Sequence, residues 1–338
     1  METGIVLAPW LGRTAKLAQG IESLGFSSLL LTDSQNLVPE VLTQLIVAAN
    51  ATTRLRIGTG VANPITRDSA VLASAALSLQ HESQGRMILG LGRGDSAVQR
   101  IGKDLYALGA FRSYVSQLQA YLRGESTPRD GFESRIEWHG ALKQPKVPLQ
   151  VAATGPKVIE LAAQHADAVM LAVGADPDHL ATALHHARTS AASAGRPPGA
   201  VRFGAFINCV IHPDLDVARA SVRGAAASFA RFSSFKGSPV ERLPEMLQEA
   251  VAFLRQHYDM KDHTRASSAH ARALENAFID WFAISGDATR VIERFEALKP
   301  LGLDFIYLVS TSADTPREVT LTSLGQMSEK LLPRLASW

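Results

Sequence analysis

Four short polar stretches, each directly after an apolar run, hold the side chains best suited to chemistry in this chain of 338 residues. They are Asp33-Ser34-Gln35-Asn36, Gly60-Val61-Ala62-Asn63, Gly92-Arg93-Gly94-Asp95-Ser96 and Ala153-Thr154-Gly155-Pro156. Asp95 and Asp33 are carboxylates that could hand a proton to a ligand or take one from it. The same residues could instead cap the following helix or brace a loop. The glycines of the second and third stretches would let backbone pass close to a flat ligand. Gly155, ahead of a helix that opens Pro156-Lys157, would turn free N–H groups toward an anion, or simply form a tight turn. Gly90-Leu91-Gly92-Arg93-Gly94 is not a dinucleotide loop, because its third glycine falls one residue early.

Other chemistries lack their residues. His81, His165, His185 and His186 show no ligand spacing, so no metal site is expected. No strand candidate carries a lysine for Schiff-base chemistry. Cys209, the single cysteine, reads as a buried structural thiol. It can form no intrachain disulfide, which fits a reducing cytoplasm.

The four stretches need a scaffold that brings strand ends together. Apolar runs at Ile5 to Ala8, Phe26 to Thr32, Leu55 to Val61 and Met87 to Leu91 alternate with helical patterns, the signature of successive βα units. The helices are expected over Ala15 to Leu24, from about Pro39 to Thr53, over Asp68 to Gln84 and over about Leu105 to Leu122. Leu29-Leu30-Leu31 is continuously apolar, as a strand covered on both faces should be. Residues 125–146 break the rhythm. Leu149 to Ala153, Ala168 to Val173, Phe203 to Ile211 and Phe305 to Val309 complete eight strands. The expected fold is α/β, a single (β/α)8 TIM barrel over 1–338 with an insertion before the last strand. The excursions fall at about 125–146 and 231–277, the second containing an amphipathic stretch from Val240 to His257. Phe229, Phe232 and Phe235 beside it could line an apolar pocket or anchor the insertion. Barrels of this kind place their active sites at the C-terminal strand ends, where all four polar stretches fall.

Composition narrows the field further. With 34 basic and 32 acidic residues and a net charge of +2, neither sign gathered into a run, no nucleic-acid or membrane partner is expected. The N-terminus lacks the pattern of a secretory signal, and no apolar run approaches the ~20 residues of a membrane span. A small-molecule substrate is the better expectation.

At these strand ends the sequence resembles the luciferase-like flavin-dependent oxidoreductases, most of all their branch similar to methylene-tetrahydromethanopterin reductase, which uses coenzyme F420. The carriers are Ile21-Glu22-Ser23-Leu24-Gly25-Phe26 with Thr32-Asp33-Ser34, the stretch Arg56 to Arg67, and Met87 to Ser96. Further along they are Val151 to Lys157, Ala166-Asp167-Ala168-Val169 and Ala283 to Leu303. Together they span nearly the whole chain.

The resemblance implies a bulge with a non-prolyl cis peptide near Gly60-Val61, behind the cofactor ring. It implies cofactor contacts from Asp33, Ser34, Asn63, the Gly92-Arg93-Gly94 loop and the Ala153-Thr154-Gly155-Pro156 turn. Asp95, with Asp33, would handle the proton. Some F420-dependent members carry a histidine where this chain has Ser34. The implied activity is hydride transfer between F420 and a small organic substrate. The alternatives are an FMN-dependent monooxygenase using oxygen and a barrel that binds a flavin without turnover. A homodimer is implied too, with Leu42, Leu45, Ile46, Ala70, Val71 and Ala75 either between subunits or packed on the barrel.

Overall fold

The computed structural model describes residues 1–234 and 243–338. Eight parallel strands close into a barrel: β1 (Glu2–Leu7), β2 (Ser28–Leu31), β3 (Arg56–Thr59), β4 (Met87–Leu91), β5 (Leu149–Ala153), β6 (Ala168–Leu171), β7 (Arg202–Ile211) and β8 (Phe305–Val309). Each pairs with the next, and β8 closes the ring on β1 with Gly4 opposite Tyr307. All eight fall on the expected apolar runs. These runs are continuously apolar because each strand buries both faces. Ile5, Leu29, Ile57, Leu89 and Val151 pack under the surrounding helices, while Val6, Leu30, Ile88, Met170, Phe206 and Tyr307 fill the interior. The Tyr307 hydroxyl donates to Gln150 Oε1 at 2.8 Å across that interior, giving a wholly buried phenol its partner.

Between the strands run helices Thr14–Ser23, Val41–Ala51, Ser69–Glu82, Leu108–Arg123, Pro156–His165 and Pro177–Ser193. The second helix begins later than expected. Pro39 lies outside it, and Glu40 caps it by accepting from the Thr43 amide at 2.8 Å. Residues 127–141 fold as a two-stranded hairpin and a short 3-10 turn beside the barrel. Of the apolar residues on the second and third helices, Leu45 is wholly buried and belongs to the core, whereas Val47 and Val71 are exposed. No helix among the described residues is long and apolar enough to cross a membrane.

The excursion before the last strand is a helical cover. Its helices Glu245–His257 and Asn276–Phe282 pack on the helix Leu215–Ala230 through Leu247, Val251, Leu254, Phe278 and Ile279, a second core separate from the first. Phe235 and Val240 lie outside the described residues. A short strand, Ile284–Gly286, extends the sheet beside β7, with Ile284 opposite Cys209. Cys209 is fully buried, and burial pushes its thiol well above the usual range, so it is inert there.

Candidate functional site

Glu2 pairs with both Arg56 and Arg202 at the N-terminal end of the barrel, a braced floor. Chemistry is left to the other end.

Beyond Thr59 the chain leaves β3 and returns to β4. The Gly60 amide bonds Leu31 O at 2.8 Å, the Ala62 amide bonds Gly90 O at 2.9 Å, and the Gly92 amide bonds Ala62 O at 2.8 Å. Between these anchors the Gly60–Val61 peptide is cis, where the resemblance places it. A Cβ on Gly90 would sit 2.1 Å from Thr59 O, and one on Gly92 would sit 2.8 Å from Val61 Cγ2. These glycines therefore seat the Val61 bulge against β4. Asn63 follows the bulge, only 2% exposed. Its Oδ1 accepts from the Ile65 and Thr66 amides, both at 3.1 Å, while its Nδ2 has no partner.

The two candidate carboxylates are both tied to arginines, and neither side chain makes a helix-capping bond, although Asp95 stands at the N-cap position of the short helix Ser96–Gln99. Asp33, with a side chain 2% exposed, forms a two-pronged pair with Arg67, which also bonds Glu40 at 2.7 Å. Burial lifts the Asp33 carboxyl above its ordinary range, and the Arg67 guanidinium opposes that lift. Asp95 turns from the short helix after it toward Arg231, at the start of the cover. Arg231 is itself buried, bonds Gln99 Oε1 at 2.7 Å and lies 4.5 Å from the Tyr258 ring centroid. Ser34 Oγ meets Ser96 Oγ at 2.9 Å, so the loops after β2 and β4 touch.

The remaining expected residues line the same face. Arg93 Nε donates to Tyr106 O at 2.7 Å, holding its loop, and Gly94 has φ +102. Ala153 ends β5, and the Thr154 hydroxyl donates to Ala172 O at 3.2 Å. Gly155 stands before the helix Pro156–His165 without a side-chain cap, and a Cβ there would meet nothing within 4 Å. Arg67 was visible within one of the stretches, but no role could be read for it. Arg231, Tyr258 and His263 carried no signal at all.

In the cover, the Tyr258 hydroxyl is 2.6 Å from His263 Nδ1. Burial pulls the His263 imidazole down from 6.5 to about 4, and Arg231, Arg100 and His270 oppose its charge while Asp95 favours it. Between those two values the unfolded chain holds a proton that the folded chain refuses. Stability is then complete above about 6.5 and falls as pH drops toward about 4. Thermal midpoints should fall across that window, and His263→Gln should flatten the fall; an unchanged slope would contradict the assignment.

Comparison with known proteins bears on this arrangement. The family model described as luciferase-like monooxygenase matches residues 3–304. A 5,10-methylenetetrahydromethanopterin reductase from Archaeoglobus fulgidus is 27% identical over 321 residues, 93% of each chain. One from Methanolobus tindarius is 34% identical over 214 residues, and the match spans 62% of this chain and 64% of that protein. Among solved structures, the coenzyme F420 dependent tetrahydromethanopterin reductase from Methanopyrus kandleri superposes with a TM-score of 0.75 at 22% identity, covering 98% of both chains.

Proposed function

This chain belongs to the luciferase-like monooxygenase family, and from that premise we propose that it is an F420-dependent oxidoreductase, moving a hydride between the deazaflavin and a small organic substrate at the C-terminal mouth of its barrel. Its similarity to the reductases of Archaeoglobus fulgidus and Methanolobus tindarius supports this reading. The observation that carries it is that the ends of the neighbouring strands β3 and β4 carry an unpartnered, buried amide donor on Asn63 and a carboxylate, Asp95, that keeps 18% of its side chain accessible.

Deazaflavin, when bound, supplies hydride chemistry at its C5 carbon. The protein's share is to place, shield and protonate. The bulge at Gly60-Val61 would hold the cofactor from behind, and Asn63 Nδ2 would offer it a hydrogen-bond donor. Asp33, held by Arg67, and Ser34, held by Ser96, fix one side of the mouth. Gly92, Arg93 and Gly94 fix the next. The Ala153-Thr154-Gly155-Pro156 turn, at the uncapped start of the following helix, would hold an anionic group of the cofactor. Asp95 is the group that exchanges a proton with the substrate, and Arg231 orients it. Asp33, buried and doubly bonded, serves orientation more than proton transfer.

Residues 1–338 act as one luciferase-like unit in this reading, a cytoplasmic homodimer joined through the exposed Val47 and Val71 of the second and third helices. The test is anaerobic: protein and reduced F420 are mixed with candidate electrophiles, and return of the oxidised chromophore is followed. The expected result is electrophile-dependent oxidation of F420, and no oxygenated product when reduced FMN and air are supplied instead. Oxygenated product with reduced FMN, formed above the protein-free autoxidation control and without F420 turnover, would replace this reading by the monooxygenase one.

A further inference from the structure

Behind Asp95 the cover holds three titratable side chains outside the proposed machinery: Tyr258, His263 and His270. The Tyr258 ring faces the Arg231 guanidinium, 4.5 Å from ring centroid to central carbon. Its hydroxyl is 2.6 Å from His263 Nδ1, and its centroid is 4.1 Å from that of the buried His270. Burial pushes the Tyr258 phenol up and the His263 imidazole down, so near neutrality the phenol donates and Nδ1 accepts. His270 is steadied by the Asp259 amide, which donates to its Nδ1 at 3.3 Å. One line of contacts therefore runs from Asp95 through Arg231 to Tyr258 and its two imidazoles.

The segment that carries this line is anchored to the mouth. Arg100, in the loop after β4, donates to Met260 O at 2.5 Å. Asp314, after β8, accepts from the Ala266 and Ser267 amides at 2.7 and 3.0 Å, and the Ala313 amide donates to Thr264 O at 3.0 Å. Gly224, on the helix Leu215–Ala230, gives the segment its seat: a Cβ there would stand 2.5 Å from Thr264 O. Thr264, directly after His263, has φ +61, a left-handed conformation that a β-branched residue rarely adopts. Backbone of this kind persists where its surroundings over-determine it. Residues 258–268 are thus tied to the loops after β4 and β8 at once, and Tyr258 has a fixed place against Arg231.

We infer that Tyr258, set by His263, is a positioning residue for proton transfer at Asp95 and acts through Arg231. The inference rests on the F420 reading above, in which Asp95 exchanges the proton. Arg231 Nη1 bonds Asp95 Oδ1, and its Nη2 bonds Gln99 Oε1 at 2.7 Å. Asp95 and Gln99 bound the short helix Ser96–Gln99, so the guanidinium spans that helix from end to end. Those two bonds hold the edge of the guanidinium; the aromatic face of Tyr258 limits the tilt of its plane. The hydroxyl bond to His263 in turn stops the ring from turning away. With Oδ1 pinned, Asp95 exchanges its proton through Oδ2. Placement matters at this point, because a shift of about 1 Å in such a group can cost about 100-fold in rate.

The experiment has a structural arm and a kinetic one, both on the full chain. In a crystal structure of Tyr258→Leu, the Arg231 guanidinium and the Asp95 carboxylate should leave the positions they hold in wild type. In the kinetic arm, reduced F420 is supplied with cyclohexenone or menadione as general hydride acceptors, each corrected for its protein-free rate. Tyr258→Leu should lower kcat about tenfold or more, with affinity for oxidised F420 unchanged. Tyr258→Phe keeps the ring but not its hydroxyl bond and should fall between; it carries the same readouts should leucine unfold the cover. Placed in Asp95→Asn, Tyr258→Leu should lower kcat by no more than about twofold, because the group it positions is already gone. Equal losses in both backgrounds, or an Arg231–Asp95 pair undisplaced in Tyr258→Leu, would make Tyr258 a packing residue and overturn the inference while leaving the F420 reading intact. Failure of wild type to bind F420 removes the underlying reading and the inference with it.

Discussion

Asp95→Asn is expected to slow F420-coupled turnover by roughly 10²–10⁴-fold, the usual loss when a positioned proton-transfer group is removed. Affinity for oxidised F420 should stay nearly constant, because the amide keeps the shape of the side chain. The expectation singles out Asp95 over Asp33 on geometry. Asp33 spends both oxygens on Arg67 and is the more deeply buried of the two. Asp95 gives Oδ1 to Arg231 and remains partly accessible. Loss of its charge also removes one ion-pair partner of the buried Arg231, so melting temperature must be read alongside rate. Asp95→Glu keeps the charge and should recover part of the rate. A variant that is destabilised yet turns over normally would make Asp95 a structural anchor for the cover.

The second large effect concerns stability. Arg67→Met should cost about 3–5 kcal/mol, the range for stripping one partner from a buried ion pair. Asp33 would be left buried with no cation, while Glu40, more exposed, would turn to water. Urea denaturation checks the size. Adding Asp33→Asn to Arg67→Met should return much of the loss, since the uncompensated charge is then removed. A single variant as stable as wild type, or a double variant no better than the single, would show that the pair contributes little.

The barrel was legible because its strands are buried on both faces and so read as continuous apolar runs such as Leu29-Leu30-Leu31. Ile284–Gly286 escaped notice because three residues give no periodicity to measure. The cover was recognised as an excursion, but its packing was not, since Leu247, Val251 and Leu254 form an ordinary amphipathic stripe with no mark of what they face. The four polar stretches could be placed from the ends of the apolar runs. What joins them could not. Arg67 reaches Asp33 across 34 positions, Ser34 reaches Ser96 across 62, and Arg231 reaches Asp95 across 136. Nor does a sequence reveal that a side chain lacks a partner, which is the property that marks Asn63.

The most direct test of the central claim is a parallel titration of the purified protein with oxidised F420 and oxidised FMN, each followed by quenching of the cofactor's own fluorescence. Saturable quenching of F420 at one per chain, with FMN bound far more weakly, is the predicted result. Preferential binding of FMN, or of neither cofactor, would contradict it.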